Sequence, residues 1–177
     1  DPKRHKFGTD ISSVIKKGGI NRRDSSISIG TQKESVEIFF CKNVEGKFVY
    51  LIPVEKEIIK PANVNERVKN IMELVLSGAA KDSGLFSAVP ANTKLLGAKV
   101  EGGTATVNFN ESLKKYSGGT SREYLLIRQV ASSLKNINGL SKVKIAIEGK
   151  SAALPEGADL SQPIEIPQFL NRLERIE

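Results

Sequence analysis

The sequence has one histidine, one cysteine, one methionine and no tryptophan among 177 residues. Each shortage removes a class of function. The lone cysteine, Cys41, permits no intramolecular disulfide, and one cysteine with one histidine cannot assemble a structural zinc site. The histidine is His5, in a segment read below as a tail, so Ser–His and Cys–His nucleophile pairs are excluded from the folded part. Cys41 ends the apolar run Ile38-Phe39-Phe40-Cys41. It is expected to be buried and inert, because a reactive thiol needs an accessible, electropositive setting. A buried lone cysteine does not fix the redox compartment. No stretch approaches the roughly 18 apolar residues that would span a bilayer, and no secretory signal opens the sequence. It begins at Asp1 rather than methionine and is read as a processed or trimmed piece, which leaves room for a signal or anchor upstream.

What is present is ordinary for a water-soluble domain: 39% apolar and 27% charged residues, with a formal charge of +7. The charge is uneven. Residues 1–35 hold eight Lys/Arg against four Asp/Glu, a net +4, and the remaining residues carry only +3. Nucleic-acid readers usually gather cations on a folded face with aromatics among them, whereas aromatics here make up 6%. The charge pattern therefore favours a mildly basic domain behind a basic linker.

Residues 1–34 read as a flexible tail, since Gly18-Gly19, Asn21 to Ser26 and Gly30-Thr31-Gln32 have turn and linker composition. From Ser35 the pattern changes. Val36, Ile38 and Phe40 alternate with Glu37, Phe39 and Cys41 as in a strand. Asn43 to Lys47 supply a turn, and Phe48 to Val54 make a second strand that continues in extended form to Pro61. Asn63 and Glu66 resemble a capping box. Val68, Ile71, Met72 and Val75 follow on one helical face, ended by Gly78. A long connection, Ala79 to Thr93, leads to two alternating runs around Gly102-Gly103, a hairpin with Leu96, Ala98 and Val100 facing Ala105, Val107 and Phe109. Thr120 and Glu123 resemble a second capping box. Behind it Leu126, Ile127, Val130, Ala131, Leu134 and Ile137 line a helix that Gly139 closes. Val143, Ile145 and Ile147 make a last main strand, Gly149 turns the chain, and Ser151 to Leu154 return briefly. Residues 166–177 carry Phe169, Leu170, Leu173 and Ile176 at helical spacing, read as a short helix docked on the domain. The domain over 35–165 is thus α+β: a β-β-α-β-β-α-β sandwich, with an antiparallel or mixed sheet and two helices packed on one face.

Few residues invite chemistry. Glu55 and Glu57 on a strand, and Glu66 and Glu73 on a helix, are read as solvated faces rather than acid/base pairs. Ser117-Gly118-Gly119-Thr120 precedes a helix, but a phosphate loop needs Lys-Ser/Thr after its glycines and a strand directly before them. Here Ser121-Arg122 follow, and the motif is read as a loop and cap. No catalytic, metal or cofactor residue is assigned, and no cofactor is expected.

The middle of the chain resembles a known family. Gly84-Leu85-Phe86-Ser87-Ala88-Val89-Pro90-Ala91-Asn92-Thr93-Lys94-Leu95-Leu96 is similar to the Gly…Pro-x-Gly-Thr-x-Leu connection of the GerMN (sporulation and spore germination) domain. The hairpin Val100 to Phe109 resembles that family's V-x-x-G-x-A-x-V unit, and Leu126 to Leu134 with Val143 to Lys150 resemble its second helix and closing strand. The similarity runs from about residue 36 to 163. Two positions depart from it: Asn92 stands where the family often has glycine, and the chain carries one copy where some members carry two. The resemblance implies a fold akin to ring-building motifs and an extracytoplasmic domain, usually lipid- or membrane-anchored, without established catalytic residues.

The expected function is a non-catalytic envelope binding or scaffolding module of a bacterial lipoprotein or membrane-anchored protein. Its expected partners are an envelope protein or cell-wall polymer, with self-association among the options and membrane proximity through an upstream anchor. The alternative is a nucleic-acid-binding domain resting on Arg122, Arg128, Lys142 and Lys144, with nucleic acid the disfavoured partner.

Overall fold

The computed structural model describes residues 32–168. The basic tail expected over 1–34 and the helix expected over 166–177 lie, apart from their inner ends, outside the described residues.

Strand β1 (Lys33–Val44) pairs with β2 (Phe48–Ile59) as a two-stranded sheet. Between them Glu45 and Gly46 both have positive φ (54° and 67°), and the Lys47 N–H donates to the Val44 carbonyl at 3.1 Å. This is a type I′ turn, whose twist matches that of the strands it joins. Along β2 the inward residues are Val49 and Leu51 before Pro53, then Val54 and Ile58 after it. The alternation slips by one at Pro53, as expected where a strand contains a residue with no N–H to offer a ladder.

Helix α1 (Val64–Leu76) starts where the sequence indicates: the Asn63 side chain accepts from the Glu66 N–H at 2.9 Å. Its apolar positions Val68, Ile71, Met72 and Val75 are all buried. Gly78 (φ 83°) follows its last turn.

A four-stranded mixed sheet runs in the order β3-β4-β5-β6, with β3 (Leu95–Glu101), β4 (Thr104–Phe109), β5 (Lys142–Ile147) and β6 (Ile164–Glu165). β3 and β4 are an antiparallel hairpin turned by Gly102 and Gly103. At Gly103 a side chain is disfavoured twice, by φ of 77° and by the Gly139 carbonyl 3.2 Å from where a Cβ would stand. β4 and β5 run parallel, joined through a short 3₁₀ turn (Glu111–Lys114) and helix α2 (Gly119–Ser132). Ala105, Val107, Phe109, Val143, Ile145 and Ile147 form a buried inner face that shares one core with both helices and with Ile38 to Cys41 of β1.

Four details differ from the sequence reading. The first hairpin does not join the larger sheet. The middle of β1 is buried on both faces, and at Cys41 it bridges Phe86 of the connection instead of a further strand. In β3 a bulge places Leu95 opposite Phe109 and Gly97 opposite Asn108, so the alternation flips, and Leu96 is 51% exposed while Leu95 packs on the core. α2 ends at Ser132, not Gly139. Beyond it Leu134, Lys135 and Ile137 bond carbonyls three residues back, a tightened run that still buries Leu134 and Ile137. Finally, Thr120 and Glu123 do not form a capping box. The N-cap is Gly118, which makes no side-chain cap, and Glu123 is buried with other partners.

The bulge makes a prediction. Phe109→Ala should destabilise the purified protein by about 3–5 kcal/mol, and Leu96→Ala by no more than about 0.5 kcal/mol. Urea denaturation measures both, and comparable losses would show that Leu96 faces the core.

Candidate functional site

The connection between α1 and β3 has little regular structure, yet Ala88, Val89 and Thr93 in it are buried. Buried irregular backbone needs hydrogen-bond partners from elsewhere, and α2 supplies them. Arg122, Gln129 and Ser133 stand at i, i+7 and i+11, among the apolar residues of the buried helix face. Gln129 is fully buried. Its Oε1 accepts from the Ala88 N–H at 2.7 Å and from the Cys41 thiol at 3.7 Å, and its Nε2 donates to the Ser87 hydroxyl at 3.1 Å. Arg122 Nε donates to the Ala88 carbonyl at 2.7 Å, so both polar groups of the Ala88 backbone are held by one helix. Ser133 Oγ accepts from the Phe39 N–H at 3.0 Å. Cys41 and Phe86 exchange two backbone hydrogen bonds of 2.8 Å.

The loop then turns at Asn92, whose φ of 68° is the left-handed conformation that asparagine tolerates. Thr93 donates its hydroxyl to the Pro90 carbonyl at 2.7 Å, and Asn110 donates to the Asn92 carbonyl at 3.2 Å. The Pro90–Asn92 ridge therefore stands rigidly above α2. A cleft of about 690 Å³ opens on one side, lined by the ridge together with Ser112, Lys115, Tyr116, Ser117 and Arg122. A second, of about 510 Å³, opens between the ridge and the end of α1 and shares Arg122.

Below the first cleft lies a buried carboxylate. Glu123 Oε2 accepts from the Tyr116 hydroxyl and from the Glu156 N–H at 2.8 Å, and Oε1 accepts from the Ala158 N–H at 2.7 Å. Burial pushes its carboxyl up, but the Tyr116 hydroxyl and the two amides outweigh that and hold it below the ordinary value of 4.5. Burial and the adjoining carboxylate push the Tyr116 phenol well above its usual range. The Cys41 thiol is raised by burial to about 11. None of these groups is poised as a base or nucleophile near neutral pH. Glu123 ties the segment around Leu154 and Leu160, both buried, to α2.

The structure places Glu55, Glu57, Glu66 and Glu73 at exposed positions, and Glu55 accepts from the Ser35 hydroxyl at 2.8 Å. Gly118 (φ 118°) and Gly119 (φ 65°) let the chain pass closely over Arg122: a Cβ on Gly118 would come within 2.9 Å of the Arg122 Cβ. The four cations of the nucleic-acid reading do not converge. Arg122 lines the clefts, Arg128 lies 5.2 Å over the Tyr124 ring, and Lys142 and Lys144 project from the sheet face opposite the core. Among the described residues no cluster of His, Cys, Asp and Glu suits a metal ion, and no helix is long and apolar enough to cross a membrane.

Comparison with known proteins agrees with this architecture. The model of the sporulation and spore germination family, Germane, matches residues 37–153. The tandem GerMN domains of the sporulation protein GerM from Bacillus subtilis superpose with a TM-score of 0.65 at 20% identity, covering 78% of this chain and 47% of that one. The chain thus spans about half the length of that tandem structure. The first GerMN domain of the same protein gives a TM-score of 0.56 at 20% identity, covering 75% of this chain and 97% of that one. A protein provisionally described as a lipoprotein from Clostridium perfringens gives 0.53 at 13% identity, covering 75% and 87%. No curated protein matches the sequence.

Glu123 gives this site a pH signature. A carboxyl that folding lowers contributes stability that is fully present above its unfolded value and is lost as the pH falls through its folded value. Glu123→Gln should therefore destabilise by about 1–3 kcal/mol at neutral pH, by mismatching buried donors. The gap to the unsubstituted protein should narrow as the pH drops below 4.5. Thermal unfolding across that range checks this, and a gap independent of pH would refute it.

Proposed function

Because the chain belongs to the sporulation and spore germination family, we propose that it is a non-catalytic binding or scaffolding module of the bacterial cell envelope, carried by a lipoprotein or another membrane-anchored protein. The observation that carries this reading is the connection over Gly84–Asn92. The connection is fixed by Arg122 and Gln129 and ends in the Pro90–Asn92 ridge, while the buried carboxylate beneath it, Glu123, is engaged structurally. Such a build suits a presented surface rather than a reaction centre, because binding surfaces gain from loops held rigidly in one shape. The fold shared with the Clostridium perfringens protein that is provisionally described as a lipoprotein supports a place outside the cytoplasm. An envelope protein or a cell-wall polymer is the partner class that fits this placement, with self-association as a further use of the same scaffold.

The test is protease shaving of intact protoplasts that express the full-length protein. The domain should be digested while a cytoplasmic marker survives. Survival of the domain alongside the marker, with digestion only after lysis, would overturn the envelope placement.

A further inference from the structure

We infer that the cleft between the Pro90–Asn92 ridge and α2 is a binding site for a phosphate group. It carries two cations from two different elements: Arg122 from α2, and Lys115 from the end of the 3₁₀ turn. Arg122 is held by its Nε bond to the Ala88 carbonyl, and no acceptor among the described residues takes up its terminal amino groups. A guanidinium fixed in this way loses little freedom on binding an oxyanion. Lys115 makes no ion pair among the described residues, whereas its neighbour Lys114 is paired with Glu111 at 3.4 Å.

The remaining polar lining is neutral. Ser112, Ser117 and the Asn92 side chain add donors, and no carboxylate lines the cleft. Glu123, next to Arg122 in sequence, has its oxygens taken up by Tyr116 and two amides. A carboxylate ligand, with one charge and two oxygens, would leave part of this donor set unmatched. Two cations with three neutral donors match the larger number of oxygens on a phosphate. At about 690 Å³ and open to solvent, the cleft admits a phosphate carried on a small molecule or along a polymer.

This names a ligand class for the envelope module proposed above and rests on that reading. The measurement uses purified protein, so its outcome is separate from where the protein resides. Glycerol 1-phosphate and inorganic phosphate are titrated by calorimetry, with amide shifts followed for residues 115–122. Saturable binding of either, weakened about tenfold in Lys115→Gln and in Arg122→Lys, is the expected result. Lys115 is exposed, so its variant keeps the test independent of folding. Binding of both probes supports recognition of the phosphate group itself, and binding of glycerol 1-phosphate alone supports a phosphate ester. No saturable binding, binding unchanged in Lys115→Gln, or sedimentation with phosphatidylglycerol vesicles without binding of either soluble probe would overturn the site.

Discussion

The structure depends on a single buried amide. Gln129 occupies a core position, and with Arg122 and Ser133 it lets one helix satisfy the backbone of two segments far away in sequence. An unpaired amide in such a place would cost about 1–3 kcal/mol. Here each polar atom of the side chain has a partner, so the group favours one arrangement of the connection over looser ones. The ridge, its two clefts and the burial of Cys41 all follow from that arrangement. If α2 presented only apolar residues, Ala88 would have to leave the interior to find water.

Local periodicity is legible in the sequence, and long-range backbone partners are not. Elements with strong periodicity are visible: the buried stripe of α1, the two alternating runs around Gly102-Gly103, and Val143 to Ile147 all stand where pattern reasoning puts them. Asn92 in the place of a glycine is equally readable, because the left-handed turn there needs a residue that tolerates positive φ. Leu96 misleads because one extra residue inverts a strand's faces, and the only local sign of it is Gly97, a residue type that marks bulges within strands. The division of the strands into two sheets is set by Phe86 closing the edge of β1, a contact between residues 45 positions apart.

The site is harder to read for a physical reason. Polar residues on an amphipathic helix are assigned to solvent by default, and Gln129 breaks that default only because its partners are backbone groups with no sequence signature. A usable signal did exist: Arg122, Gln129 and Ser133 keep the spacing of the apolar stripe itself. Glu123 is a parallel case. Three residues after Thr120 it imitates a helix cap, yet its carboxylate binds the amides of Glu156 and Ala158, more than thirty residues ahead. Local pattern and long-range need are satisfied by the same residue type, and only the fold distinguishes them.

The first hairpin has a bearing on solubility. Among the described residues one side of β2 lies without a strand neighbour, and a long bare edge is a template on which another chain can polymerise. β2 is twelve residues long and rich in Val, Ile and aromatic residues, a composition prone to such growth. Pro53 removes one donor from it, the slip there changes which residues face outward, and Glu55-Lys56-Glu57 place charges along the remainder. The irregularity and the charges thus disfavour amyloid-like stacking along this edge.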